Sequence, residues 1–317
     1  MTDPGKVTFG VPGQFMPPAA RTAEVARRAE ADGFDAIWFP CHLMGWHPDS
    51  VWTEEYTPIA AIQSNPHMYY DPFQAMAVAG AATETLRVGV GVTDVLRRHP
   101  AMLAQSALTA QHYAGGRAIL GLEPLDGVPP PIWLASHGPR MLQLCGREAD
   151  GWLPTKSTPE EYADRLAVIR RSAEEAARDP DAITPSMLGY VLCAPDEETL
   201  QRMTEHPLVR MLCVLLPAHV YERHGATPPF ASGSGFHGFI PTRVDRAEAE
   251  RVIAHIPPEI VRYATFHGDA AQIADQVRAY TDAGLRDLVL WNVTGFADPA
   301  LTGYSFKVLR EVKELLC

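Results

Sequence analysis

The stretch LRVGVGVT, Leu86–Thr93, alternates small and β-branched residues, a pattern that predicts a buried strand. Pro100–Tyr113 follows as a predicted helix, which Gly115 and Gly116 end. Arg117–Leu122 is predicted to be the next strand. This order of strand, helix and strand is typical of a parallel sheet wrapped by helices.

The same alternation extends in both directions along the chain. The predicted strands are Val7–Val11, Ala36–Phe39, Leu86–Thr93, Arg117–Leu122, Ile132–Ala135, Gly151–Leu153, Met187–Cys193 and Asp287–Val293. The other predicted helices are Ala19–Asp32, Asp71–Thr83, Arg140–Glu148, Pro159–Ala177 and Ala270–Ala283, with Gly33 and Gly284 as C-caps. Eight strands are the number that closes a barrel.

We therefore predict an α/β fold, a single (β/α)8 TIM-type barrel over residues 1–317, with insertions at 47–70 and about 203–245. A doubly wound open sheet is the alternative fold. The first predicted strand, however, is not followed by the GxGxxG turn of a dinucleotide-binding sheet.

One connection is too short to hold a helix. Glu123–Pro131 has nine residues, four of them proline, whereas a parallel crossover normally takes a dozen or more. We predict an extended strap in place of the helix between strands 4 and 5. The gap would bare the outward face of Ile119, so we expect the excursion Pro207–Pro241 or a second subunit to cover it.

The composition limits the possible partners. The formal net charge of −11 argues against nucleic acid and anionic membranes as binding partners. The five cysteines lack any CxxC spacing, which argues against a disulfide framework and a zinc site, and no other metal site is predicted. No apolar run approaches the length of a membrane helix, and the N-terminus lacks a signal pattern, so we expect a cytoplasmic protein.

Four segments of the chain resemble the bacterial luciferase-like, flavin-dependent superfamily. They are FPCHLMGW (Phe39–Trp46), LRVGVGVTDVLRRHPAMLAQ (Leu86–Gln105), PPIWLASHGPRML (Pro130–Leu142) with ADGWLP (Ala149–Pro154), and FHGDAAQIADQVRAYTDAGLRDLVL (Phe266–Leu290). Within that superfamily they are most similar to the branch that uses the deazaflavin coenzyme F420, in particular the mycobacterial phthiodiolone ketoreductase type.

The resemblance implies where the coenzyme binds. It implies a non-proline cis peptide at Gly91–Val92 and assigns the turn Ser136–Gly138 to the phosphate and ring edge of the coenzyme. The implied cofactor-binding residues are Cys41, Gly91, Val92, Thr93, Ala135, Ser136, His137 and Gly138. The candidates for neutralising an anionic tail are Arg97, Arg98, Arg140, Arg147 and Lys156; solvated surface arginines are the alternative interpretation.

His42 and Trp46 follow the second strand, at the carboxyl end where barrel active sites lie. A histidine suits proton donation to a carbonyl, because its ordinary pKa of about 6.5 is close to the operating pH. The resemblance implies a catalytic role for both residues and places Thr155 near the substrate. The aromatic loop at 47–70, which contains Trp52, suits an apolar or lipid-like substrate, or else an oligomer interface, and we expect a homodimer.

The chain departs from the family pattern at two places. Cys41 stands where the coenzyme F420 enzymes usually have aspartate. The glycine-rich turn, helix and hairpin that usually follow the fourth strand are absent, and Glu123 is not assigned the role of the glutamate in that turn. Three functions are therefore consistent with the sequence. They are hydride transfer between coenzyme F420 and a carbonyl or alcohol, an FMN-dependent monooxygenase, and an inactive barrel that binds a ligand or partner.

Overall fold

A computed structural model describes residues 7–93, 98–119, 131–214, 216–229 and 239–316. Within these residues every strand pairing is parallel. The strands are β1 (Thr8–Pro12), β2 (Ala36–Phe39), β3 (Arg87–Val90), β4 (Ala118–Ile119), β5 (Trp133–Leu134), β6 (Gly151–Trp152), β7 (Thr184–Cys193), β8 (Thr265–Gly268) and β9 (Asp287–Asn292). Eight of them correspond to the predicted strands, and β8 was not predicted.

Helices lie between most of these strands along the chain. In chain order they are α1 (Arg21–Ala31), α2 (Ile59–Ile62), α3 (Pro72–Ala82), α4 (Pro100–Tyr113), α5 (Pro139–Glu148), α6 (Pro159–Glu175), α7 (Glu197–Glu205), α8 (Pro207–Met211), α9 (Ala218–Arg223), α10 (Arg246–Ala254), α11 (Pro258–Ala264), α12 (Ala270–Asp282), α13 (Thr294–Ala297) and α14 (Thr302–Leu316). Gly33 and Gly284 follow α1 and α12 at φ +79° and +103°, as expected of C-cap glycines. No helix in the described ranges is both long enough and apolar enough to cross a bilayer.

The strands form a nearly closed barrel, which confirms the predicted fold. The hydrogen-bonded order is β4-β3-β2-β1-β9-β7-β6-β5. The first and last strands are neighbours, since Thr8 on β1 pairs with Asp287 on β9. The remaining strand, β8, lies off this path and, among the described strands, pairs with β7, where Tyr190 lies opposite Thr265.

The inside of the barrel is filled by the indole of Trp38, which is 1% exposed. Its ring packs against Trp133 with centroids 5.5 Å apart, and it shares a cluster of buried side chains with Leu153 and Val289. A Cβ atom added at Gly89, its neighbour on β3, would come within 2.6 Å of the indole. A residue larger than glycine is therefore excluded beside this ring.

A second hydrophobic cluster lies outside the barrel core. It joins the carboxyl end of β7 to α7, α8, α9, α10 and α11, through residues such as Leu192, Leu200, Val209 and Tyr221. This helical group contains much of the insertion predicted at about 203–245. The fold therefore carries a cap of helices beside one end of the barrel.

The strap predicted at Glu123–Pro131 lies almost wholly outside the described residues. The expectation about Ile119 is wrong: its side chain is 4% exposed and packs with Trp38 and Leu153 in the barrel interior rather than facing outward. The neighbouring Ala118 belongs to the outer core instead. The helices α8 and α9, which form the described part of the excursion, pack in the second cluster. Among the described residues, they do not cover β4.

We expect Gly89→Ala to destabilise the fold. The added methyl group meets the rigid indole of Trp38 at 2.6 Å, and overpacking of this kind costs about 1–3 kcal/mol of the free energy of unfolding. Urea denaturation of the purified variant measures the change. The control is Gly303→Ala in the first turn of α14, where an added Cβ meets nothing within 4 Å and alanine should not destabilise the helix. A Gly89→Ala protein as stable as the wild type would contradict the packing argument.

Candidate active site

The main candidate site is a cavity at the carboxyl ends of the barrel strands, which we call the first cavity. Its volume is about 240 Å³. Strand ends contribute Gly91 and Val92 after β3, Ala135 after β5, and Leu153 after β6. The rest of the wall is largely aromatic, with Phe15, Trp46, Trp52, Tyr69, Tyr190, Trp291 and Phe296. The cavity is thus suited to a flat or apolar molecule.

The predicted catalytic pair meets at the rim of this cavity. The rings of His42 and Trp46 lie edge to face, with centroids 5.1 Å apart. Tyr69 approaches the same imidazole at 5.6 Å in a second edge-to-face contact, and both partners line the first cavity with His42. Burial raises the pKa of Tyr69 to about 12, so its hydroxyl is protonated at neutral pH. His42 is therefore held between two aromatic rings beside the enclosed space.

The wall after β3 has the predicted backbone form, since the peptide bond Gly91–Val92 is cis. A Cβ atom at Gly91 would lie 3.3 Å from the indole of Trp38. Val92 is 37% exposed and presents its side chain at the cavity. The same indole that fills the barrel therefore supports the backbone on which the cavity rests.

The turn Ser136–Gly138, which was predicted to bind the coenzyme phosphate, lies at the start of α5. Gly138 is the N-cap of this helix and no side chain caps its first turn. A Cβ atom at Gly138 would meet nothing within 4 Å, so the approach to the helix terminus is open. Uncapped N–H groups at a helix start favour an anion. Ser136 is buried and His137 exposed.

Two of the predicted cofactor-binding residues contact each other instead of lining the first cavity. The hydroxyl of Thr93 donates a hydrogen bond of 3.2 Å to the Sγ atom of Cys41. Cys41 is 4% exposed. Their contact links the chain after β2 to the chain after β3, and a direct role in binding stays a prediction.

Both predicted substrate residues line the first cavity. Trp52 is 6% exposed and its indole N–H donates a 2.6 Å hydrogen bond to the carbonyl of Gln63. Thr155 also lines a neighbouring space of about 360 Å³, which we call the second cavity. The two cavities share Trp46, Thr155, Leu188, Tyr190 and Leu212 as lining residues.

The basic residues proposed for an anionic tail are dispersed. Arg98 forms a 2.8 Å ion pair with Asp71 and lies over the ring of Phe73. Arg140 and Arg147 are exposed on α5. Lys156 lines the second cavity, and Arg97 lies outside the described residues. Within the described ranges, no group of three or more His, Cys, Asp or Glu side chains is arranged to hold a metal ion.

His47 holds the aromatic wall together. It is 5% exposed, and its ring packs against Trp52 and Phe296 with centroids 5.3 and 5.1 Å away. Its Nε2 atom lies 3.1 Å from the carbonyl oxygen of Leu208, so this nitrogen donates. Burial lowers the pKa of His47 to about 4, which keeps the ring neutral.

Several cavity residues were not predicted. Tyr190 comes from β7, Trp291 and Val293 from the end of β9, and Phe296 from α13. An aromatic residue at the end of a barrel strand, as in DLVLWN, was a usable signal for Trp291. Phe296 had no comparable signal, because α13 is a single turn placed by tertiary packing.

A comparison with protein families agrees with this architecture. The model of the family described as luciferase-like monooxygenase matches residues 4–124 and 123–287. The chain belongs to the luciferase-like monooxygenase family. The two matched segments meet at residues 123 and 124, next to the place where the sequence lacks part of the family pattern.

Alignments with curated relatives extend over nearly the whole chain. The phthiodiolone/phenolphthiodiolone dimycocerosates ketoreductase of Mycobacterium kansasii is 30% identical over 362 positions, covering 93% of this chain and 98% of the relative. The protein of the same name from Mycobacterium tuberculosis is 29% identical over 364 positions, covering 95% and 94%. These alignments are longer than the 317-residue chain, so the relatives contain residues that this luciferase-like protein lacks.

Solved structures of low sequence identity share the fold. The coenzyme F420-dependent tetrahydromethanopterin reductase of Methanopyrus kandleri superposes with a TM-score of 0.70 at 18% identity, over 98% of each chain. An F420-dependent secondary alcohol dehydrogenase in complex with an F420-acetone adduct superposes at 0.72 with 16% identity, over 98% of this chain and 99% of that one.

We expect the buried His47 to make the fold sensitive to acid. Its folded pKa of about 4 lies below its ordinary value of 6.5, so its contribution to stability is complete above pH 6.5 and is lost as the pH falls towards 4. Between pH 7 and pH 5 the wild type should lose about 2 kcal/mol of unfolding free energy from this group.

Urea denaturation at the two pH values measures this loss, with His47→Gln as the comparison because glutamine can still donate to the carbonyl of Leu208. The variant should lose about 2 kcal/mol less than the wild type over the same interval. Equal losses in both proteins would show that His47 does not carry the acid sensitivity.

Proposed function

We propose that this luciferase-like protein is an oxidoreductase that transfers hydride between coenzyme F420 and a carbonyl or alcohol substrate. The observation that carries the proposal is the position of His42, which lies at the rim of an apolar cavity whose wall includes the Gly91–Val92 backbone. The curated relatives align with nearly the full chain and are named ketoreductases, which supports the same reaction class.

The residues of the first cavity fit a flat, uncharged ring system. Gly91 and Val92 form a backbone wall, and Leu153 adds an apolar surface to the same cavity. The open start of α5 at Gly138 would receive an anionic group outside the ring. The chemistry that reduced coenzyme F420 supplies when bound is donation of a hydride to the substrate carbon.

His42 would donate the proton that the substrate oxygen needs when its carbonyl is reduced. A carbonyl that gains a hydride at carbon becomes an alcohol once its oxygen takes a proton, and an imidazolium is suited to this transfer near neutral pH. In the reverse direction the neutral imidazole would accept the proton. The edge-to-face contacts with Trp46 and Tyr69 fix the ring in place.

Trp46 would close the site and stabilise the charge that develops during transfer. Its ring contacts His42 and lines both cavities. With substrate bound, the aromatic wall would exclude water from the reacting atoms and so strengthen electrostatic interactions with the substrate oxygen. The same wall favours a substrate with an apolar body.

We expect His42→Ala to lower kcat by about 100-fold to 10,000-fold, the usual contribution of a positioned proton donor. The dissociation constant for coenzyme F420 should change less than threefold or so, because the imidazole acts on the substrate oxygen. Steady-state kinetics and fluorescence titration measure the two quantities. His112→Ala, on the exposed face of α4, is the control and should change neither. Equal losses of affinity and turnover would mean that His42 is structural.

A second test separates the candidate functions. We expect coenzyme F420 to bind to the purified protein more tightly than FMN, and reduced coenzyme F420 to be consumed without oxygen when a methyl ketone is added. Paired titrations followed by anaerobic turnover measure this. Tighter binding of FMN with turnover that needs oxygen would favour a monooxygenase, and binding without turnover would favour an inactive barrel.

A further inference from the structure

The second cavity differs in character from the first. Alongside the shared residues it is lined by Lys156, Ser157, Glu161 and Arg165, which come from the chain between β6 and the first turns of α6. Because Leu188 and Tyr190 line both cavities, the two spaces are adjacent. A substrate that spanned both would place an apolar body in the first and a polar end in the second.

Lys156 is the main polar group of this second space. Its Nζ atom lies 5.6 Å from the ring of Tyr263 and 5.3 Å from the ring of Phe266. It donates a 2.5 Å hydrogen bond to the backbone carbonyl of Tyr263, which uses one of its three N–H groups. Among the described residues no carboxylate forms an ion pair with it. Burial lowers its pKa to about 8, so the amine is mostly protonated at neutral pH.

The neighbouring charges do not cancel this positive group. Glu161 is the one carboxylate among the described residues that line the second cavity. It has one oxygen 2.6 Å from Arg223 and the other 3.7 Å from Arg165. Two guanidinium groups thus share one carboxylate, and Lys156 adds a further positive charge. Ser157, also at the cavity, is 5% exposed and its hydroxyl has no hydrogen-bond partner among the described residues.

We propose that the second cavity binds an oxyanion group, a carboxylate or phosphate, at the end of the substrate opposite to the reacting carbonyl. This inference rests on the proposed function in taking the first cavity as the place of the carbonyl. An anion beside Lys156 supplies the counter-ion that this ammonium lacks, through a charge-assisted hydrogen bond that is stronger than one between neutral groups. The substrate class is therefore an apolar carbonyl compound or alcohol with an anionic end.

Decanoate and decanamide form a matched pair of probes, because they share one chain length and differ in charge. Isothermal titration of the purified protein with each needs no coenzyme, so failure of coenzyme F420 to bind would leave this test intact. We expect decanoate to bind at least tenfold more tightly, about 1.4 kcal/mol. Equal affinities of the wild type for the two probes would overturn the proposal.

Lys156→Met should remove the preference for decanoate, while Lys156→Arg should keep it. Methionine is of similar length and carries no charge to desolvate, so the variant is expected to fold. Lys307→Met, on the exposed face of α14, is the control and should keep the wild-type preference. A preference that survives in Lys156→Met would overturn the assignment. If Lys156→Met instead bound coenzyme F420 more weakly and kept its preference for decanoate, the proposal would also be overturned. The second cavity would then bind the anionic tail of the coenzyme.

Discussion

The packing of one indole inside the barrel determines much of this structure. Trp38 occupies the interior between β1 and β3, and glycine at positions 10 and 89 leaves room for its ring. Gly91 rests against the same ring. A barrel interior is a close-packed core, so a side chain of this size dictates which neighbouring strands can approach. The floor of the first cavity is thereby connected rigidly to the centre of the fold.

Above that floor the cavity is enclosed by elements that are far apart in the sequence. Trp52 and His47 come from the loop after β2, Phe296 from α13, and Leu208, which accepts the hydrogen bond of His47, from α8. The neutral imidazole lets these elements pack without a buried charge. An apolar mouth next to a positively charged second cavity is the combination that suits an amphipathic substrate.

The sequence predicted the barrel, and it predicted several of the residues that line the first cavity. His42, Trp46, Gly91, Val92 and Ala135 follow strands, and the carboxyl ends of parallel strands converge, so their meeting at one cavity was predictable. The direction of the Ile119 side chain was predicted wrongly, because a shift of one residue in a short strand reverses the face to which each side chain points. β8 was missed because four residues without a clear period give little signal.

What the sequence by itself determined was the order of the elements, the number of barrel strands and the end of the barrel at which the predicted site residues meet. These properties follow from local periodicity and from caps such as Gly33 and Gly284, which each segment carries within itself. Only the tertiary structure decided that Cys41 contacts Thr93 and that Lys156 lines the second cavity without forming an ion pair with any described carboxylate. Such contacts depend on the packing of segments that are distant along the chain, and no local pattern encodes them.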